Sequence, residues 1–126
     1  MYIARDVRPL IPTLVGGSEI KDLTTAGAGT NYSAPFHVGT FVECIAFVVE
    51  QSHSGTNPTL DVSFEYSPDG RNWMDSGDAL AQITTADITT AKKLTANFGD
   101  WLRVKFIVGG TDLPTFKWSL TMACKG

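Results

Sequence analysis

The 126-residue chain holds only two cysteines, Cys44 and Cys124, and two histidines, His37 and His53. Neither histidine has a cysteine or carboxylate at a metal-ligand interval, so no metal site is expected. No GxSxG elbow precedes a plausible base, and no Gly-Lys-Ser/Thr follows Gly27 and Gly29, which leaves neither a nucleophile nor a phosphate cradle to predict. Charge is sparse. Charged residues make up 18% of the chain, net charge is −3, and no Lys/Arg run exists, which argues against nucleic acid and against an anionic membrane surface. No window approaches the ~18 apolar residues of a membrane-spanning helix. Arg5, Asp6 and Arg8 interrupt the N-terminus, so no signal-peptide core is read there and the chain is expected to fold in a cytoplasm. In that compartment two free buried thiols are the expected state of Cys44 and Cys124. The chain is expected to be no enzyme and to need no cofactor.

What the chain does have is alternation. In Leu60 to Trp73, LDVSFEYSPDGRNW, the residues Leu60, Val62, Phe64 and Tyr66 alternate with Asp61, Ser63 and Glu65, the period of a strand with one face buried. Pro68 suits the first corner of a type I turn and Asp69 the second. Gly70 supplies a left-handed residue, and Trp73 lands on the returning strand. Asp61, Glu65, Asp69, Asp75 and Asp78 crowd this hairpin, but alternation puts Asp61 and Glu65 toward solvent and no calcium-loop spacing appears. A solvated face is the reading.

Phe41 to Val49 is apolar on both faces apart from Glu43, which predicts a central strand, with a loop at 52–58 leading into the organising strand. Residues 24–35 and 75–78 are read as loop and turn, and Ser18 to Leu23 as a short strand anchored by Ile20 and Leu23. ITTADITTA, residues 83–91, predicts two short strands broken near Ala86-Asp87, so that Ile83 and Ile88 both face inward. Leu102, Val104, Phe106 and Val108, then Phe116, Trp118, Leu120 and Met122, alternate on either side of GGTDLP and predict a closing hairpin. Phe64, Tyr66, Phe106 and Trp118 are the largest members of the inward sets and are predicted to share one core. Short strands without helical periodicity define the fold class: all-β, an antiparallel β-sandwich or jelly roll. Residues 1–17 read as an extended N-terminal arm and 18–126 as a single β-sandwich domain. In the arm, Pro9 and Pro12 deny ladder donors, and Tyr2, Ile3, Val7, Leu10, Ile11, Leu14 and Val15 need an apolar surface, either their own domain or a neighbouring subunit.

Ser67-Pro68-Asp69-Gly70-Arg71-Asn72-Trp73, of the form SxDGxxW after a strand, resembles two kinds of β-sandwich. It is similar to sugar-binding discoidin-type modules. It also resembles small virion proteins of tailed bacteriophages, in which a Thr-rich segment and two closing strands follow; here those are residues 101–105 and 116–120, and the likeness covers about residues 40–126. The phage resemblance implies a capsid decoration, or cement, protein found in the virion and assembled in the host cytoplasm. Its implied partner is a major capsid protein or other virion protein, and its implied state a homo-oligomer, a trimer by preference. Head-fibre, neck or tail components are the near alternative. The other resemblance implies a carbohydrate-binding module that holds a surface glycan on exposed aromatics, with Tyr32, Trp73 and Trp101 as candidates and core packing as the competing explanation for the tryptophans.

Overall fold

The computed structural model describes residues 7–25, 27–38, 43–84, 88–94 and 100–125. Eight strands are formed and, among the described residues, no helix: β1 Val7–Leu10, β2 Leu23–Thr24, β3 Gly29–Tyr32, β4 Phe36–His37, β5 Glu43–Ser67, β6 Met74–Ala79, β7 Ile88–Lys93 and β8 Trp101–Lys125. Two of them dominate. β5 and β8 are 25 residues each and pair antiparallel from Glu43↔Lys125 to Ser67↔Trp101. The register slips between Glu50 and Ser52, Ser54 and Thr56, and Thr56 and Thr59, and at those bulges the ribbon bends.

Each half of the ribbon carries its own flanking strands. On the first half of β5 and the second half of β8 lie β7 at one edge and β1 and β2 at the other. On the other halves lie β6 at one edge and β3 and β4 at the other. Counting β1 with β2 as the first arm, β3 with β4 as the second, and each half of β5 and β8 separately, the chain has eight arms. They pair first with eighth, second with seventh, third with sixth and fourth with fifth. That is the pattern left by rolling up one long hairpin, the eight-stranded jelly roll.

The two sheets stack because both inner faces are apolar. Away from the bend, the even-numbered positions point inward: Cys44, Ala46 and Val48, then Leu60, Val62 and Phe64 on β5, with the even positions of Leu102 to Val108 and Phe116 to Cys124 on β8. Phe106 and Trp118, on opposite halves of β8, meet edge to face with ring centroids 5.1 Å apart. This contact joins the sheets. Phe64, Phe106 and Trp118 are fully buried as predicted, whereas Tyr66 is only half-buried at the core's margin, where Ser67 turns inward instead.

Several expected boundaries fall differently. The runs Leu102 to Val108 and Phe116 to Met122 do not form a hairpin with each other; they are one strand, and both pair with β5. Gly109 to Pro114 makes a bend, with Asp112 and Leu113 at φ +60° and +53°, opposite Asn57 at φ +49°. Gly55, at φ +102°, packs so closely there that a Cβ would lie 2.8 Å from Pro114 Cα. Residues 52–58, expected to be a loop, are therefore part of β5. Residues 75–78, expected to be a turn, lie in β6, and part of the 24–35 loop is the edge strand β3. Ile83 bridges Leu60 and is buried, and Ile88 packs against the core; the break at Ala86-Asp87 and the start of the Phe41 run lie outside the described residues.

Cys44 and Cys124 are also a correction. They are register partners on adjacent strands, fully buried, and joined in a disulfide with Cα atoms 4.2 Å apart. The long-range register brings together two thiols that are 80 positions apart in sequence. Disulfides typically contribute about 2–4 kcal/mol, mainly by restricting the unfolded chain, and long loops such as this one lie at the upper end.

Candidate interaction surfaces

Ser67 to Trp73 forms a turn closed by its own side chains. The Asp69 carboxylate accepts from the Arg71 and Asn72 N–H groups at 2.8 and 2.9 Å, from the Ser67 hydroxyl at 2.8 Å and from the Asn72 amide at 2.7 Å. These donors, the Asn72 and Arg71 backbone first, hold its carboxyl well below the usual carboxylate range. Ser67 Oγ in turn accepts from the Gly70 N–H at 2.8 Å. Gly70 has φ +77°, as the turn chemistry predicted, and a Cβ added there would rest 3.6 Å from the Trp101 ring.

Beside this turn, the outer face of the second sheet gathers aromatics around one cation. The Arg103 guanidinium lies 4.2 Å from the Tyr32 centroid and 4.5 Å from that of Trp73. Its Nε and Nη2 donate to Glu65 Oε1 at 2.8 and 2.7 Å, across the register pair Glu65↔Arg103. Trp101 stands next to it, edge-on to His37 with centroids 5.0 Å apart. Tyr32 is 38% exposed, and Trp73 and Trp101 are half-buried, so neither tryptophan belongs to the inter-sheet core.

The outer face of the first sheet is different in kind. Its rows read Thr89, Val49, Ser119; Ala91, Phe47, Thr121; and Lys93, Ile45, Ala123. Phe47 and Val49 are 41% and 39% exposed. Charged groups border these rows at two places: Glu43 accepts from Lys93 at 3.0 Å and from Lys125 at 2.9 Å, and Asp22, whose N–H donates to Ser119, accepts from Gln51 at 2.6 Å. Lys125 first and Lys93 second hold the Glu43 carboxyl down to about 2.

Of the predicted arm, Tyr2 and Ile3 lie outside the described residues. From Val7 the segment is an edge strand, pairing Val7↔Lys125 to Leu10↔Met122, and Pro9 is tolerated because β1 has no second neighbour among the described residues. Leu10 and Leu14 pack against the core of their own domain, and Ile11 is half-buried. Among the described residues no three His, Cys, Asp or Glu side chains gather in a way that could hold a metal ion. Asp61 instead accepts from Gln82, and His53 lies against Phe116 with Nδ1 3.5 Å from the buried Glu50. Sequence reading passed over Arg103, Phe47 and Val49. Arg103 carried a signal only as one of two cations, with Lys105, on the outward side of an alternating strand, and Phe47 and Val49 were absorbed into a run apolar on both faces.

No protein-family model matches the sequence, and no curated protein sequence matches it. Among solved structures, a chain from the structure of infectious bursal disease virus Gx strain aligns with TM-score 0.53 and 11% identity, over 94% of this chain and 32% of that one. A family two carbohydrate esterase from Cellvibrio japonicus aligns with TM-score 0.37 and 11% identity, over 98% of this chain and 35% of that one, too low a score for anything to follow. The chain thus spans about a third of each, and the viral likeness is one of fold.

Proposed function

We propose that this chain is a non-enzymatic structural protein of a virion, a decoration protein that attaches to the outside of a tailed-phage head and stabilises it. The observation that carries the reading is the rolled pairing of eight arms, a topology used in viral shells, together with fold likeness to a viral chain along nearly the whole length. The neutral outer face of the first sheet supports it. Phe47, Val49 and Ile45, bordered mainly by Thr, Ser and Ala with Lys93 at one end, offer a surface from which water can be displaced with little charge to desolvate. A major capsid protein is the partner that fits this role, and a trimer of the decoration protein would repeat the face around a shell's symmetry axes.

Mass spectrometry and immunogold labelling of purified particles test the reading. The protein is expected on the head surface at regular copy number, and particles lacking it should open at lower temperature. Phe47→Asp should abolish attachment while leaving the melting temperature of the free protein within a few degrees. Label on the neck or tail would assign it to those components, and absence from purified particles would end the virion reading.

A further inference from the structure

We infer that the aromatic cluster around Arg103 is a binding site for a neutral saccharide, separate from the shell-facing surface. The core does not need these rings. It is filled by Phe64, Phe106, Phe116 and Trp118, whereas Tyr32, Trp73 and Trp101 sit outside it on the solvent side of the second sheet. One exposed and two half-buried aromatics gathered on one face, outside the inter-sheet core, mark a recognition surface.

The cluster is organised before any ligand arrives. Arg103 covers one side of Tyr32 and of Trp73 and is itself held by Glu65 through two donors. Trp101 is fixed between Gly70 and the edge of His37. Rings held in this way lose little rotamer freedom on binding, so a weak stacking partner suffices.

The chemistry selects the ligand class. The charge of Arg103 is met by Glu65, and that of Asp69 by four donors of its own turn, so the cluster presents aromatic surface without an uncompensated charge at its centre. A pyranose ring offers C–H groups to such surface and hydroxyls to its border, where the exposed Arg71 and Asn72 and the half-buried Lys105 stand. A charged sugar would find no dedicated counter-ion among the central groups.

The test titrates the full chain with neutral oligosaccharides of glucose, galactose, mannose and N-acetylglucosamine, followed by tryptophan fluorescence and amide chemical shifts. At least one should bind with a dissociation constant below ~10 mM. Tyr32→Ala and Trp73→Ala should each weaken it by about tenfold. Glu65→Gln should weaken it less by loosening Arg103, and Phe47→Ala on the other sheet should leave it unchanged. Thermal melts of each variant separate lost binding from lost fold, and Tyr32→Ala serves if Trp73→Ala disturbs the turn. No binding across the panel, binding indifferent to both ring variants, or binding of a proline-rich peptide in place of any sugar would overturn the site. Presence or absence on virions is measured separately, so neither reading falls with the other.

Discussion

The two sheets share one interior yet meet solvent with different chemistry. The first presents Phe47, Val49 and Ile45 among mostly small residues, with charge at its borders, in the Glu43, Lys93 and Lys125 group and at Asp22 beside Ser119. The second carries Asp61, Glu65, Arg103 and Lys105 through its centre and folds aromatics over Arg103. Both faces come from the odd positions of the same two strands, β5 and β8. The bend alone separates them, and so it lets one ribbon offer an apolar contact surface and a polar aromatic one without either disturbing the other.

Breaking the shared interior should abolish the difference. Trp118→Ala removes the ring that meets Phe106 across the sheets and is expected to cost about 3–5 kcal/mol in urea unfolding, with both faces lost in one transition. A loss below ~1 kcal/mol, or two separate transitions, would mean that the sheets do not depend on this contact.

Damage confined to the second sheet should be smaller. Gly70→Val places a β-branched residue at φ +77° against Trp101 and is expected to cost roughly 1–3 kcal/mol, whereas Arg71→Val, one residue on and exposed, should stay within about 0.5 kcal/mol. Equal thermal shifts for the pair would remove the turn from the account.

The smallest effect belongs to the rim of the first sheet. The Glu43 carboxyl ionises at about 2 when folded and near 4.5 when unfolded, so between those values the unfolded chain binds more protons and stability rises with pH. The melting temperature of the wild type should therefore exceed that of Glu43→Gln above pH 5, converge with it toward pH 2, and do so at any pH in high salt, since this rim is exposed. A difference independent of pH would show that the two lysines do not act through charge.

Alternation made the inward set legible: Phe64, Phe106 and Trp118 were identifiable because a strand's period of two needs only near neighbours. The SPDG turn was legible for the same reason, since Pro68, Asp69 and Gly70 specify their own backbone locally. GGTDLP was misread because Gly, Asp and Pro serve a bend in a long strand as well as a reversal between two. Nothing local distinguishes them when the alternation keeps its phase on both sides. Tyr32, Trp73 and Trp101 were nameable as candidate aromatics, but their gathering at Arg103 was out of reach, as Tyr32, the Glu65 to Trp73 hairpin and the Trp101 to Arg103 segment come from three separate stretches of chain.

By itself, then, the sequence determined which side of each strand is apolar, that these strands are β, and where the chain turns tightly after Ser67. Only the tertiary structure decided that β5 and β8 run unbroken through both sheets, that Cys44 meets Cys124, that β1 closes an edge, and that three rings gather beside Arg103. The physical reason is that side-chain direction is set within a few residues, whereas register is settled by which distant strands repay the entropy of closing long loops between them.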